Sequence, residues 1–196
     1  MNIIFFGTSD FAVPALKALV DSPHKVLAVV TQPDRRKGRG LKISPSPVKE
    51  LAQRSGIPVE APDKVKDPKF LEKLKTYNPD IIVVVAYGQI LPKEILDLPK
   101  HGCINIHASL LPKYRGAAPI QWALMSGEKE TGVTIFKLAQ TVDTRDILAQ
   151  RSILIEDTDN AETLSKKLFD LASKLIIEAL DIIEGGQAVY KPQDSG

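Results

Sequence analysis

Asn105 and His107 are the residues whose types and spacing most directly suggest chemistry. They stand two apart in an apolar stretch that begins near Gly102 and reads as a strand. Strand side chains alternate with period two, so both would face one side and Ile106 the other. An amide donor can stabilise an oxygen that turns negative during a reaction, and an imidazole can do so while also moving a proton. A cationic imidazole needs a carboxylate to support it, and the segment Thr141-Val142-Asp143-Thr144-Arg145-Asp146 offers two, Asp143 and Asp146. Spacing alone does not separate them. Taken singly, Asn105 or His107 is more simply a hydrogen-bonded structural residue. As a pair at a strand end, followed by a proline-containing loop, they favour a site.

Two other segments have chemical character. Ala86-Tyr87-Gly88-Gln89 follows the apolar run at 81–85, at a strand end where ligands bind in open α/β sheets. Arg35, Arg36, Lys37, Arg39 and Lys42 set five cations against Asp34, with Gly38 and Gly40 on either side of Arg39. Such a segment suits phosphate contacts that position a nucleic acid without reading its sequence. Other chemistries fit less well. Gly7-Thr8-Ser9-Asp10 follows the first apolar run but lacks the remaining glycines of a dinucleotide-binding turn. No P-loop lysine or Gly-x-Ser-x-Gly elbow is present. Cys103 falls inside an expected strand and reads as core. The three histidines lack zinc-like spacing, so no metal is expected.

The elements that must position these residues follow from periodicity and punctuation. Residues 2–6, 26–31, 81–85, 102–107, 131–138 and 147–154 read as strands. The run 81–85 is wholly apolar and β-branched, as in a parallel sheet covered on both faces. Residues 13–20 carry a helical pattern. Ser46-Pro47 and Asp67-Pro68 each read as an N-cap followed by proline at the first helical position, opening helices that run to Arg54 and to about Tyr77. A short helix is expected over 119–125. A long one is expected over 161–184, with Asp159 and Glu162 at capping-box spacing, Gly185-Gly186 as a stop, and Leu164, Leu168, Leu171, Leu175 and Ile176 on its apolar face. Residues 33–47 read as an exposed loop, and the polar end at 190–196 as the start of a linker. Strands alternating with helices indicate an α/β fold, Rossmann-like, with a largely parallel central sheet flanked by helices.

The bulk numbers agree. The 196 residues fit one large domain, and 43% hydrophobic with 26% charged content is ordinary for a globular protein. A net charge of +2 requires any polyanion to be met by a local patch. A single cysteine, no signal-peptide pattern and no bilayer-length apolar run point to a cytoplasmic protein without membrane contact. A monomer is expected.

The stretch Asn105-Ile106-His107-Ala108-Ser109-Leu110-Leu111-Pro112-Lys113-Tyr114-Arg115-Gly116, with Asp143 downstream, resembles the signature of the 10-formyltetrahydrofolate-dependent formyltransferases. Gly7-Thr8-Ser9-Asp10-Phe11, the segment 32–40, Ser46-Pro47-Val48-Lys49 and Ala86-Tyr87-Gly88-Gln89-Ile90-Leu91-Pro92 resemble the methionyl-tRNA branch of that group. The resemblance covers essentially the whole chain. It implies a formyltransferase catalytic domain over 1–189, with 190–196 leading to a C-terminal tRNA-binding domain that this chain does not contain. It implies a catalytic Asn105, His107 and Asp143. It implies contacts to the formyl donor, 10-formyltetrahydrofolate, from Gln89, Ile90, Leu91, Ser109, Leu110, Leu111, Pro112 and Gln140. The expected acceptor is initiator methionyl-tRNA, met by Arg35, Arg36, Lys37, Arg39 and Lys42. The same triad would serve a sugar-nucleotide N-formyltransferase. Thr141 and Arg145 stand where the family usually has glycine, which motivates a non-enzymatic alternative, a folate- or RNA-binding module.

Overall fold

The structure, a computed structural model, describes residues 1–37, 42–138 and 146–193. The chain forms two compact units, Met1–Cys103 and Ile104–Gly196.

The first unit is built on parallel strands. β1 (Asn2–Gly7) pairs with β2 (Lys25–Val30) on one side, with α1 (Ala12–Val20) as the crossover. The two-residue β5 (Val59–Glu60) extends the sheet beyond β2, and β6 (Ile81–Val85) pairs with β1 on its other side. All of these pairings are parallel, and β6 is buried along its whole length, as its unbroken β-branched composition requires. Gly7 ends β1 where an added Cβ would come within 2.6 Å of the Phe5 ring and 2.9 Å of Ala12 Cβ. Its role is close packing.

The helices of this unit start as their caps direct. Ser46 Oγ accepts from Lys49 N at 3.0 Å and opens α2 (Pro47–Arg54). Asp67 Oδ1 accepts from Lys69 N at 2.8 Å and opens α3 (Pro68–Tyr77), which Asn78 closes in the left-handed conformation. The expected loop at 33–47 is corrected. It contains an antiparallel ribbon of β3 (Arg35–Lys37) and β4 (Lys42–Ser44), with Arg35 opposite Ser44 and Lys37 opposite Lys42. Glycine-rich composition masked these short strands, which carry no apolar alternation. The single-turn α4 (Lys93–Leu96) lies beyond β6.

The second unit is antiparallel. β7 (Cys103–His107), which begins at the unit boundary, pairs with β8 (Glu130–Lys137), and β8 pairs with β9 (Ile147–Leu154). Two helices complete the unit, α5 (Pro119–Met125) and α6 (Ala161–Glu184). α6 packs on β8, β9 and α5. Its buried stripe is Leu164, Leu168, Ala172, Leu175, Ile176, Ala179, Leu180 and Ile183, whereas the expected Leu171 lies at the edge, half-buried. The capping box is also corrected by one residue. Asn160 Oδ1 accepts from the backbone N–H of Glu162 and Thr163, and Thr163 Oγ1 accepts from Asn160 N. Asp159 instead accepts from Thr163 Oγ1, Lys167 Nζ and Glu156 N, each at 2.9 Å.

Gly132 of β8 fixes how close the loop after β7 comes. An added Cβ would lie 2.1 Å from the Arg151 carbonyl oxygen and 2.5 Å from Leu110 Cδ2. Backbone of a paired strand cannot yield, so Gly132→Ala should destabilise the protein by about 1–3 kcal/mol, read from the denaturant midpoint at unchanged slope. A variant as stable as the parent would show that the two strands separate freely there.

Candidate active site

In the second unit the site grows from the end of β7. Asn105 is half-buried and His107 only 7% exposed. Within β8, Phe136 is the register partner of Asn105 and Thr134 that of His107. His107 Nε2 lies 2.8 Å from the carbonyl oxygen of Tyr114. A carbonyl only accepts, so Nε2 carries the hydrogen.

The loop that returns Tyr114 to His107 is held carbonyl by carbonyl. Thr134 Oγ1 donates to Ser109 O at 2.6 Å and accepts from Leu111 N at 3.2 Å and from Gln150 Nε2 at 2.8 Å. Gln150 Nε2 also lies 3.1 Å from Leu111 O, and Ser109 Oγ donates to Lys113 O at 2.6 Å. Ser109 and Leu111 are thereby buried on β8, Leu110 is half-buried, and Pro112 is exposed after a cis Leu111–Pro112 peptide. Tyr114, Gly116 and Ala118 then take positive φ at 56°, 85° and 58°, curling the chain into α5. Thr134 and Gln150 escaped the sequence reading. Their signal is the strand register, which sets Thr134 between His107 and Gln150.

Outside this loop Glu128 gathers two donors. Tyr114 Oη lies 2.8 Å from one carboxylate oxygen, and Lys113 Nζ lies 3.1 Å from each. The Tyr114 hydrogen bond, then Lys113, hold the Glu128 carboxyl below its ordinary range, and Glu128 in turn raises the Lys113 ammonium. Residues 190–193 do not trail away. Lys191 exchanges both backbone hydrogen bonds with Ile147 at 2.7 and 2.9 Å, and the Arg115 guanidinium donates twice to Gln193 Oε1 at 3.2 and 3.0 Å.

In the first unit the carboxyl ends of β1, β2 and β6 are joined by side chains. Thr8 Oγ1 and Gln32 Nε2 both donate to Tyr87 O, at 2.9 and 3.3 Å. Gln89 Nε2 donates to Gln32 Oε1 at 3.2 Å, and Gln89 Oε1 accepts from Val65 N at 3.1 Å. The Gln89 carboxamide is therefore already engaged by protein. Ala86 and Gly88 have positive φ, Ile90 is 67% exposed and Leu91 is buried. An exposed aliphatic side chain at a strand end suits an aromatic ring. Tyr87 packs edge-on against Phe6 with ring centroids 5.0 Å apart, and among the described residues its buried hydroxyl has no hydrogen-bond partner. Burial pushes the Tyr87 phenol up to about 12. Cys103 is core, as expected.

The backbone of Arg35, Arg36, Lys37 and Lys42 lies in the β3–β4 ribbon, whose base is fixed by the buried Thr31–Ser46 hydroxyl pair at 2.7 Å. Asp34 pairs with Lys49 at 2.7 Å. Arg39, Gln140, Thr141, Asp143 and Arg145 lie outside the described residues. The seven described candidates of the loop segments fall into two groups, Gln89, Ile90 and Leu91 in the first unit and Ser109, Leu110, Leu111 and Pro112 in the second, the latter beside Asn105 and His107 in sequence.

The formyl transferase family pattern matches residues 1–180. The chain belongs to the formyl transferase family. Among its relatives, a methionyl-tRNA formyltransferase of Thermodesulfovibrio yellowstonii is 58% identical over 98% of the chain and 62% of its own length. One of Caldanaerobacter subterraneus subsp. tengcongensis is 55% identical over 98% of the chain and 63% of its own. The chain thus spans less than two thirds of these relatives' length. The crystal structure of glycinamide ribonucleotide transformylase 1 from Symbiobacterium toebii matches with a TM-score of 0.82 at 21% identity, covering 99% of this chain and 94% of that one. That likeness establishes the α/β fold.

A hydroxyl has one donor and two acceptor sites, and Thr134 uses all three. Thr134→Val keeps the shape and should cost roughly 2–4 kcal/mol in chemical denaturation, because Ser109 O loses its donor and Leu111 N its acceptor. Thr134→Ser should lose less than half of that. Equal stability of the valine variant and the parent would mean that water replaces the hydroxyl.

Proposed function

We propose that this protein transfers the formyl group of 10-formyltetrahydrofolate to the amino group of methionine on initiator methionyl-tRNA. The observation that carries this reading is the 58% and 55% identity, over 98% of the chain, to proteins named methionyl-tRNA formyltransferase. Among the described residues no helix is long and apolar enough to cross a membrane. We assign the protein to the cytoplasm, as a monomer, with residues 1–189 as the catalytic domain.

The donor supplies an activated formyl group. The chain supplies orientation, charge and a proton. Asn105 is assigned to the formyl oxygen, as a neutral hydrogen-bond donor at the end of a buried strand. With Nε2 held on the Tyr114 carbonyl, His107 presents Nδ1, which as an imidazolium donates to the same oxygen while the amine bonds to the formyl carbon, gives its proton to the leaving nitrogen as that carbon–nitrogen bond breaks, and regains one from the attacking nitrogen. Asp143 is assigned to favour the charged imidazole. Ile90, Leu91 and Leu110 are assigned to the apolar ring system of the donor. Ser109, Leu111 and Pro112 contribute through the backbone of their pinned loop. Gln89 is assigned a backbone contact because its amide is engaged, and Gln140 completes the assignment. Arg35, Arg36, Lys37, Arg39 and Lys42 are assigned to tRNA phosphates.

The test is single-turnover formyl transfer with charged initiator tRNA and, separately, with an amino-sugar nucleotide. Transfer to tRNA is expected. Asn105→Ala, His107→Ala and Asp143→Asn should each lower the rate by about 10²–10³-fold without unfolding the chain, and Asp146→Asn should change it little. Transfer to the sugar alone would sink the tRNA assignment, and near-normal rates in His107→Ala would sink the roles given to the triad.

A further inference from the structure

We propose that Glu128 is a positioning residue for His107, acting through Tyr114 to hold the imidazole in its Nε2–H form. The inference rests on the catalytic role given to His107 above, but it concerns a residue that role does not require.

Tyr114 is a non-glycine residue at φ 56°. That conformation is costly for a side-chain-bearing residue, so it persists only where other contacts hold it. The carbonyl of Tyr114 accepts from His107 Nε2 at 2.8 Å, while its phenol donates to Glu128 at 2.8 Å. One residue therefore joins the imidazole to a carboxylate through its two ends. Glu128 also takes Lys113 Nζ on both oxygens at 3.1 Å. Both residues flanking the 113–114 peptide are thus tied to one carboxylate. Lys113 O, the carbonyl of that peptide, accepts from Ser109 Oγ at 2.6 Å.

Glu128 is itself well placed to act as an anchor. Its N–H donates to Ala123 O at 3.1 Å, and Gly127 N donates to Leu124 O at 3.1 Å with φ 65°, so the C-terminal stop of α5 sets its backbone. Its side chain is only 23% exposed. Without the carboxylate, the phenol and the Lys113 ammonium lose their shared acceptor. The Tyr114 peptide is then free to leave the left-handed region, and its carbonyl to leave Nε2. The ring would then also populate the Nδ1–H form and lose the fixed orientation in which Nδ1 is assigned to the formyl oxygen and to proton transfer.

The experiment uses the 196-residue chain labelled with ¹⁵N at histidine and reads the His107 tautomer from long-range ¹H–¹⁵N correlations, beside single-turnover formyl transfer. The parent should show Nε2–H. Glu128→Ala and Tyr114→Phe should each show a mixture of the two tautomers and a rate lowered about tenfold, with KM for the formyl donor unchanged. Glu128→Gln keeps an acceptor for the phenol and should restore the parent spectrum and most of the rate. A parent-like spectrum in folded Glu128→Ala would overturn the proposal even if its activity fell. Should Glu128→Ala fail to fold, Tyr114→Phe decides the matter in the same way. If the parent transfers no formyl group but the tautomer still shifts in the variants, the positioning role stands and the proposed function falls.

Discussion

One buried hydroxyl ties an irregular loop to a regular sheet. Thr134 sits on the central strand of the antiparallel unit, with His107 as its register partner on one side and Gln150 on the other. Its single donor and both acceptor sites are filled by Ser109 O, Leu111 N and Gln150 Nε2. From that point the loop's carbonyls are satisfied in order. Ser109 O goes to Thr134, Leu111 O to Gln150, Lys113 O to the Ser109 hydroxyl and Tyr114 O to His107. A buried network of this kind is rigid when complete and costly when broken, because every unpaired group would be stranded away from water.

The same device recurs at the strand ends of the parallel unit. Thr8 and Gln32 hold the Tyr87 carbonyl, and Gln89 Nε2 donates to Gln32 Oε1. In both units a polar side chain, on β8 in one and just past β1 and β2 in the other, fixes the backbone of the segment assigned to the formyl donor. Precise chemistry needs such support, since a reacting group misplaced by about an ångström loses much of its effect. The price is visible at Ala86, Tyr114 and Ala118, three non-glycine residues with positive φ close to the candidate site residues.

Much of the fold was legible because its signals are local. The β-branched run of β6 and the Ser46-Pro47 and Asp67-Pro68 starts each act within a few residues. Features that depend on partners were not legible. β5 has two residues and no period to detect, the β3–β4 ribbon has no apolar face in its sequence, and the choice of Asn160 over Asp159 as cap turns on backbone angles. The site divides in the same way. Asn105 and His107 are visible as a pair because strand alternation puts them on one side. Thr134 and Gln150 look like ordinary strand residues until register brings them to the loop. The engaged amide of Gln89 was hidden for the same reason, since its partners Gln32 and Val65 are 57 and 24 residues away.

The dependence of the loop on Thr134 is tested most directly by native-state hydrogen exchange at the Leu111 amide, which donates to the Thr134 hydroxyl. If the hydroxyl anchors the loop, Leu111 exchanges only through the same cooperative opening as the paired amides of β7 and β8, and its protection follows their denaturant dependence. Exchange of Leu111 at the rate of an open loop, with β7 and β8 still protected, would contradict the anchoring and with it the fixed presentation of His107.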